Sequence, residues 1–586
     1  MVNILGISAL FHDSSAALLV DGHLCSAMQE ERFSRRKCDG GLPWRAARRC
    51  LDEAGLSIAD IDLLAYYEDP GVKLDRQLSM LARETRADVA TRLLNRIDAA
   101  HAYRALREGL GYDGPIRFIP HHTSHAASAF FYSGFDEAAV LVLDAVGEWA
   151  TSSAGHASIA SGIRLHEVDR FPHSLGLFYS TVTSYIGFEV NEGEYKTMGL
   201  APMGRPQFVD RLRRVITCDD EGAVRLDPAY FDFVGLRRMW SDAFTDLMGR
   251  PPRARGEELD QWHSDIAASA QVILEEIVLL KATAVRAHTG AERLCMAGGV
   301  ALNCVATAAL RRSGMFEDIF VQPAAGDAGG AVGAAAQASW ELGTPPPVRR
   351  LEHVYLGPRY TTEHDVIPVL ASAGMPYRDY RGDEDALLED VVARITAGQV
   401  IGWFQGRMEF GPRALGARSI IADPRLSNMR DRINGMVKMR EAFRPFAPSV
   451  LLDHVGEYFD CPVPQPFMVE TVTSSVDWLP AVTHVDGSAR VQTVTHESHP
   501  RYARLLERFR ARTGCAVLLN TSFNQRGEPI VCAPTDAFAC FARSRLDALV
   551  IEDVVVDGRD LPAATSAYGP ADRRTDDLEL AVYQLA

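Results

Sequence analysis

Among the ten cysteines no two stand as C-x-x-C, so the sequence offers neither the paired thiolates of a structural zinc site nor a thioredoxin-like redox motif. Their irregular spacing in a 586-residue chain gives no disulfide framework, and a reducing, cytoplasmic compartment is expected. Long apolar runs are missing too: none approaches the roughly 20 residues of a membrane span, so no membrane partner is expected. The first residues, Met-Val-Asn-Ile-Leu-Gly-Ile-Ser, lack a basic n-region and a small-residue cleavage site, and read as a β-strand instead of a signal peptide. Net positive charge is absent as well. At a formal −16 the chain lacks the basic face with which a general nucleic-acid binder neutralises phosphates, so no nucleic-acid partner is expected.

What is present is enough chain for two or three cores. Residues 2–8 form an apolar run, 15–20 another, and Asp21-Gly22 turns into a third, His23 to Gln29. The same layout returns at 138–170, with Ala139–Asp144, Thr151–Ile159 and a Gly162 turn into Gly162–Val168. Such a repeat is expected of two similar α/β halves facing each other across a cleft, as in the actin-like ATPases and sugar kinases. Helices are predicted over Trp44–Ala54 and Ile266–Thr289, and strand–glycine turn–helix passages over Arg293–Asn303 and Phe320–Ala335. The stiff run Gly343-Thr-Pro-Pro-Pro-Val348 is taken as the domain boundary, giving domains over 1–347 and 348–586. Beyond it, Val400–Gln405 and Ala516–Asn520 read as strands ending in polar loops, and the last twenty or so residues are expected to fray.

Three constellations carry chemistry. In His121-His-Thr-Ser-His125, ahead of an alanine-rich helical segment, His121 and His125 share a helix face, the spacing that lets two imidazoles bind one metal. His122 with His125 is a competing pair, and capping or core packing competes with both. Asp144, at the carboxyl end of an apolar strand, and Asp327, in a glycine turn, add carboxylates, and the four together suit Fe(II), Mn(II) or Zn(II) better than Mg²⁺. The turns at Gly298-Gly299 and Gly326–Gly330 each open a helix, where backbone N–H groups can cradle phosphate. Finally, Arg407 to Arg444 holds nine basic residues against four acidic ones in an otherwise acidic chain, and the run is broken by Gly411-Pro412, so its arginines sit on turns. Forked guanidiniums there suit phosphate and carboxylate oxygens held together. His12, in the first loop of the first repeat, could take a proton from an attacking hydroxyl.

Eight blocks in order then resemble one family along nearly the whole chain: His12-Asp-Ser-Ser-Ala-Ala-Leu, His121-x-x-x-His125, Gly193-Glu-Tyr-Lys-Thr-Met-Gly-Leu-Ala-Pro202, Gly298-Gly-Val-Ala-Leu-Asn303, Pro323-Ala-Ala-Gly-Asp327, Gly411-Pro-Arg-Ala-Leu-Gly-Ala-Arg-Ser419, Phe443-Arg-Pro-Phe-Ala-Pro448 and Asn520-Thr-Ser-Phe-Asn524. The sequence resembles the O-carbamoyltransferases that include the nodulation-factor, cephamycin and tobramycin enzymes. That resemblance implies an α/β fold with a duplicated actin-like (ASKHA, TsaD-like) N-terminal domain and a YrdC-like C-terminal domain. It implies that carbamoyl phosphate and ATP (with Mg²⁺) form a carbamoyl-adenylate in the second domain, and that the first transfers the carbamoyl group to a hydroxyl of a small acceptor of secondary metabolism, antibiotic-like in kind. Carried over by motif, His121, His125, Asp144 and Asp327 are the implied metal ligands, with iron the favoured ion. Arg413, Arg418, Lys438, Arg444, Arg490, Asn520 and Ser522 are the implied adenylation residues. Lys196, Gly298, Gly299 and Asn303 are the implied contacts of a second nucleotide site, and His12 lies where the acceptor should bind. Ala145 departs from the glycine frequent in the family, and its methyl is expected to crowd the metal site. A homodimer is compatible with the sequence.

Rival readings are a tRNA threonylcarbamoylating enzyme, disfavoured by the acidic charge, and a hydrogenase-maturation enzyme, whose zinc fingers would need the absent C-x-x-C pairs. A non-catalytic actin-like nucleotide-binding regulator or a sugar kinase leaves the arginine-rich second domain unexplained.

Overall fold

Alternation of buried residues with glycine-bearing turns folds the first thirty residues into a meander: β1 (Asn3–Ser8), β2 (Ser15–Val20) and β3 (His23–Gln29). The computed structural model describes residues 1–561 except 96, 99, 236, 237, 255, 439, 440 and 442; the polar C-terminal stretch expected to fray lies outside the described residues. Two units are formed. Of the described residues, the first comprises Met1–Glu30 and Cys38–Leu351, and the second comprises Glu31–Lys37 and the chain from Glu352 to Leu561.

In the first unit β1 pairs antiparallel with β2, which pairs antiparallel with β3, while β4 (Leu63–Tyr66) and β5 (Ile116–Phe118) add in parallel beyond β1. The order is β3-β2-β1-β4-β5. A second sheet repeats this order and these directions: β6 (Glu137–Gly147) pairs antiparallel with β7 (Ala150–Ser158), β7 with β8 (Gly162–Arg170), and two later strands join β6 in parallel. A small hairpin, β9 (Ile216–Cys218) and β10 (Val224–Leu226), comes before those two, β11 (Arg293–Ala297) and β12 (Asp318–Val321). The repeated strands predicted at 2–29 and 138–170 are therefore the two meanders of a duplicated α/β unit. The predicted helices are also found, as Trp44–Ala54 and as the longer Gln261–Thr289.

Each half ends on a helix after its fifth strand, His121–Phe130 after β5 and Asp327–Glu341 after β12. The first is rich in alanine and serine and the second in alanine and glycine, and both are buried along nearly their whole length, because they pack on each other and each also packs on the other half's sheet. The approach is backbone to backbone: a Cβ at Gly333 would overlap the Ser124 carbonyl.

The second unit is a mixed eight-stranded sheet. It is built from β13 (Arg378–Asp379), β14 (Ile401–Phe404), β15 (Arg418–Ala422), β16 (Ala447–Leu451), β20 (Gln492–Val494), β21 (Val517–Ser522), β22 (Ala548–Ile551) and β23 (Val554–Asp557). Their order is β13-β23-β22-β14-β15-β21-β16-β20. A separate three-stranded sheet, β17 (Phe459–Asp460), β18 (Val472–Ser474) and β19 (Ser488–Ala489), lies between β16 and β20 in sequence. The apolar core of the unit gathers around Trp403, Phe404, Leu518 and Phe509.

His499 caps the helix Pro500–Thr513 from within this unit. Its Nδ1 accepts from the Tyr502 N–H at 3.4 Å and its Nε2 donates to Gly416 O at 3.0 Å, which fixes the neutral tautomer, and burial pushes its pKa down to about 4. The unfolded imidazole binds its proton near 6.5 and the folded one only near 4, so acid favours unfolding through that window and stability is restored above it. Up to about 3 kcal/mol is at stake. The urea midpoint is expected to fall between pH 7.5 and pH 4.5 by clearly less in His499→Asn than in the wild type; equal losses would contradict this role.

Candidate metal centre and anion-binding residues

The crossing of the two terminal helices decides what meets what. The first turn of His121–Phe130 presents His121 and, one turn later, His125; the first residue of Asp327–Glu341 is Asp327; and Asp144 comes from β6 beside them. All four side chains are buried, and one ligand atom from each lies within 4.8 Å of every other. His121 Nε2 is 3.1 Å from Asp144 Oδ2 and 3.8 Å from Asp327 Oδ1, and His125 Nε2 is 3.7 Å and 3.6 Å from the same two atoms.

The two Nε2 atoms face each other at 3.0 Å. Two neutral imidazoles would repel through their lone pairs at that distance, so a proton or a cation has to lie between them. Ligand atoms about 2.0–2.2 Å from a common centre stand about 3.0–3.5 Å apart, and the separations here, 3.0 to 3.8 Å, lie within or slightly above that range. Two imidazoles and two carboxylates are a donor set for a borderline divalent ion, and the four residues could hold one. The Nδ1 atoms of both rings are buried without a hydrogen-bond partner. Ala145 does not prevent the convergence.

Charge follows the geometry. Burial opposes ionisation of Asp144, yet hydrogen bonds from His121 and His125 outweigh it and hold its carboxyl well below the usual range. Burial likewise opposes the His125 cation, but Asp144 and Asp327 raise its pKa to about 9. His122 points elsewhere. Its Nδ1 is 2.7 Å from Ser153 Oγ, and burial, reinforced by the neighbouring His121, pushes it down to about 3, so the alternative pairing of His122 with His125 is not formed.

His12 does reach the cluster. Its Nε2 is 3.8 Å from Asp327 Oδ2 and its Nδ1 is 3.0 Å from Asp13 Oδ2; although burial opposes its charge, these carboxylates raise its pKa to about 9. Two residues without a motif also belong here. Tyr67 donates to Asp327 Oδ2 at 3.5 Å, and Glu148 Oε1 accepts from the His121 N–H at 3.1 Å.

The glycine turns serve the cluster in a way the sequence did not suggest. Gly298 has φ +90°, a Cβ there would overlap the Leu143 carbonyl, and its N–H donates to Ala325 O at 2.9 Å. The Gly299 N–H donates to Asp144 Oδ1 at 3.2 Å. Both N–H groups are engaged within the protein: the Ala325 carbonyl takes the first and the Asp144 carboxylate the second. Asn303 caps the helix Cys304–Arg312 through Ala306 and exchanges two hydrogen bonds with Gln271, so its amide is spent on the fold. Lys196 is half-buried, its ammonium 5.6 Å from the Phe188 ring centre.

In the second unit Lys438 is buried and its ammonium donates to Ser522 Oγ at 3.0 Å and to Asn524 Oδ1 at 2.7 Å, as well as to both backbone carbonyls. Asn520 is a hub. Its amide donates to Ala414 O, to Ser449 Oγ and to Gln492 Oε1, and across the β16–β21 pairing it faces Ala447. One side chain thereby ties together the segments carrying Arg413, Arg444 and Arg490, each within three residues of one of its partners. Arg490 is half-buried and its Nε has no hydrogen-bond partner.

One expected ligand contact is corrected here. Arg418 is fully buried under Phe404, 3.5 Å from the ring centre, and its guanidinium is consumed by the carbonyls of Gln405, Gly406, Ala417, Pro358 and Cys532. A cation so enclosed shapes the turn that carries Arg413 and touches no ligand. The amide nitrogen of Asn520 is used internally, while its Oδ1 is buried without a hydrogen-bond partner. The segment Glu31–Lys37, unremarked in the sequence, belongs to this unit: Arg32 donates to Gly411 O at 2.8 Å and Arg35 to Ile530 O at 2.7 Å, which fixes the loop of Gly411–Arg413. The clue was a basic run, Arg35-Arg-Lys37, in an acidic chain.

Gly147 lies flat against His121, and a Cβ there would overlap the imidazole. Gly147→Ala is expected to displace His121 and weaken Co²⁺ binding, followed by visible absorption, at least about tenfold with the far-ultraviolet circular dichroism unchanged. Unaltered cobalt affinity would contradict the packing.

Comparison with known proteins finds two family models along the chain. Residues 3–336 match the family model described as carbamoyltransferase N-terminus, and residues 392–558 match carbamoyltransferase C-terminus. An uncharacterized protein of Synechocystis sp. is 46% identical over 95% of this chain and 97% of its own length. Nodulation protein NolNO of Sinorhizobium fredii is 40% identical over 94% of this chain and 80% of its own, and 3'-hydroxymethylcephem-O-carbamoyltransferase of Amycolatopsis lactamdurans is 37% identical over 44% and 47%. With both family models matched in order and relatives aligned from end to end, this chain belongs to the carbamoyltransferase family and is an enzyme of that class.

Proposed function

We propose that the chain is an ATP-dependent O-carbamoyltransferase working in two steps. The observation that carries this reading is the convergence of His121, His125, Asp144 and Asp327 from both halves of a duplicated unit, in a chain whose other unit gathers cationic segments around Asn520. The second unit is read as a YrdC-like adenylation domain. There, water releases phosphate from carbamoyl phosphate, and an oxygen of the carbamate attacks the α-phosphorus of ATP with loss of pyrophosphate. Arg413, Arg444 and Arg490 are suited to neutralise the phosphate oxygens, and Lys438, held by Ser522 and Asn524, fixes one wall of the site.

The first unit is read as an actin-like transfer domain. The acceptor hydroxyl oxygen forms a bond to the carbamoyl carbon, its proton is handled at His12, and AMP leaves with the electron pair of the broken C–O bond. Asp13 holds His12 Nδ1, which turns Nε2 toward the cluster. A divalent ion held by the four donors, iron in this reading, would supply Lewis acidity for the developing oxyanion. The acceptor is a hydroxyl-bearing small molecule of secondary metabolism, as the relative named for cephem O-carbamoylation suggests by its name.

Incubated with carbamoyl phosphate, ATP and Mg²⁺, the protein should release pyrophosphate. Arg413→Ala and Lys438→Ala are expected to lower that release about 100-fold or more, and His12→Asn to spare it while blocking transfer. Equal loss of pyrophosphate release in all three would refute the division into two sites. Protein stripped by a chelator and returned to Mg²⁺ alone is expected to keep releasing pyrophosphate but to transfer nothing to a panel of hydroxylated antibiotics, read by mass spectrometry as addition of HNCO. Restoration by Fe²⁺ or Mn²⁺ is expected, and transfer surviving the stripping would count against a metal role.

A further inference from the structure

A cavity of about 240 Å³ in the first unit is walled by Trp149, Phe171, Phe231, Phe233 and Met80. The rings of Phe231 and Phe233 stack at 5.1 Å, and Phe171 leans on Phe233 at 6.4 Å. At its rim Glu84 and Asp232 are both forked by Arg86, so these carboxylates leave the interior without a strong negative charge. Pockets that enclose a whole drug-sized ligand start near about 300 Å³, so this one is sized for a single ring. Aromatic walls suit the face or edge of such a ring.

The cavity adjoins the donor cluster through three consecutive residues. Gly147 lies against His121, Glu148 accepts from the His121 N–H, and Trp149 is cavity wall. With 3.8 Å between successive Cα atoms, the wall is within about 8 Å of Gly147. One helical turn before Met80, on the helix Pro70–Arg83, stands Arg76. It is only 2% exposed and its guanidinium carbon is 5.7 Å from the centre of the Phe171 ring, so it backs that wall without entering the cavity.

We propose that this cavity is the acceptor subsite: it takes one uncharged ring of the acceptor alcohol between its aromatic walls and so leads a hydroxyl toward His12 and the donor cluster. The proposal rests on the reading of that cluster as the place of transfer. It thereby names the substrate class as ring-bearing alcohols and gives the ring, not the chain length, as what is recognised.

Binding can be measured without ATP or carbamoyl phosphate, so its failure is distinguishable from failure of the two-step reading. Full-length protein is titrated with benzyl alcohol and with 1-butanol by ligand-observed NMR. Saturable binding of benzyl alcohol is expected in the range of about 1–10 mM, at least about tenfold tighter than 1-butanol. Met80→Trp, which fills the cavity, should weaken it about tenfold; Phe231→Ala, at a half-buried wall that tolerates truncation, should weaken it about threefold or more. Circular dichroism identifies any variant that has not folded, and the remaining ones then decide. Benzyl alcohol binding that is unsaturable, no tighter than 1-butanol, or equal in the wild type and the folded variants would overturn the proposal.

Discussion

The first unit depends on how closely two helices can approach. His121–Phe130 and Asp327–Glu341 come from different halves of the duplication, and their contact is made by alanines and glycines whose absent side chains let main chain meet main chain at Gly333 and Ser124. Such interiors are dense and shift as units, so a side chain added at the crossing would move both helix starts together. Those starts carry His121, His125 and Asp327. The composition of the helix cores and the position of the polar cluster are thus one constraint, and the buried charges are affordable only because opposite charges and hydrogen bonds face one another there.

The second unit solves a related problem with a neutral polar network. Asn520, buried inside an eight-stranded sheet, binds the segments bearing Arg413, Arg444 and Arg490, while Lys438 is held by Ser522 two residues farther along the same strand. Arg418 is the most buried cation of the unit's arginine-rich turn and works inward, its fork closed on carbonyls beneath Phe404. A guanidinium can stay charged in such a place because its five donors find acceptors. Arg413 and Arg444, proposed to face a ligand, and Arg418, which holds the loop in shape, are interleaved in one sequence run, which is why the run alone does not sort them.

Much of the fold was legible in the sequence because its signals are local. The strand–turn–strand pattern of residues 2–29 and its return at 138–170 depend on alternation and on glycine turns, and the two meanders follow it closely. The pairing of His121 with His125 was likewise written into helical spacing. Less visible was what depends on distant chain. Nothing near Gly298 in sequence reveals that its N–H is claimed by Ala325 and that Gly299 serves Asp144. The membership of Glu31–Lys37 in the second unit, hundreds of residues from Gly411 and Ile530, has no local periodicity to betray it. Tyr67, Glu148 and the aromatic walls around Trp149 carry no motif because a single side chain at a tertiary contact needs none.

The convergence of the four donors is tested most directly at the ion itself. X-ray absorption at the metal edge of the Fe²⁺-loaded protein should give a first shell of nitrogen and oxygen only, with two imidazoles and two carboxylate oxygens at about 2.0–2.2 Å and no sulfur. A shell with fewer than two imidazoles, or one containing thiolate, would mean that the crossing helices do not build the cation site.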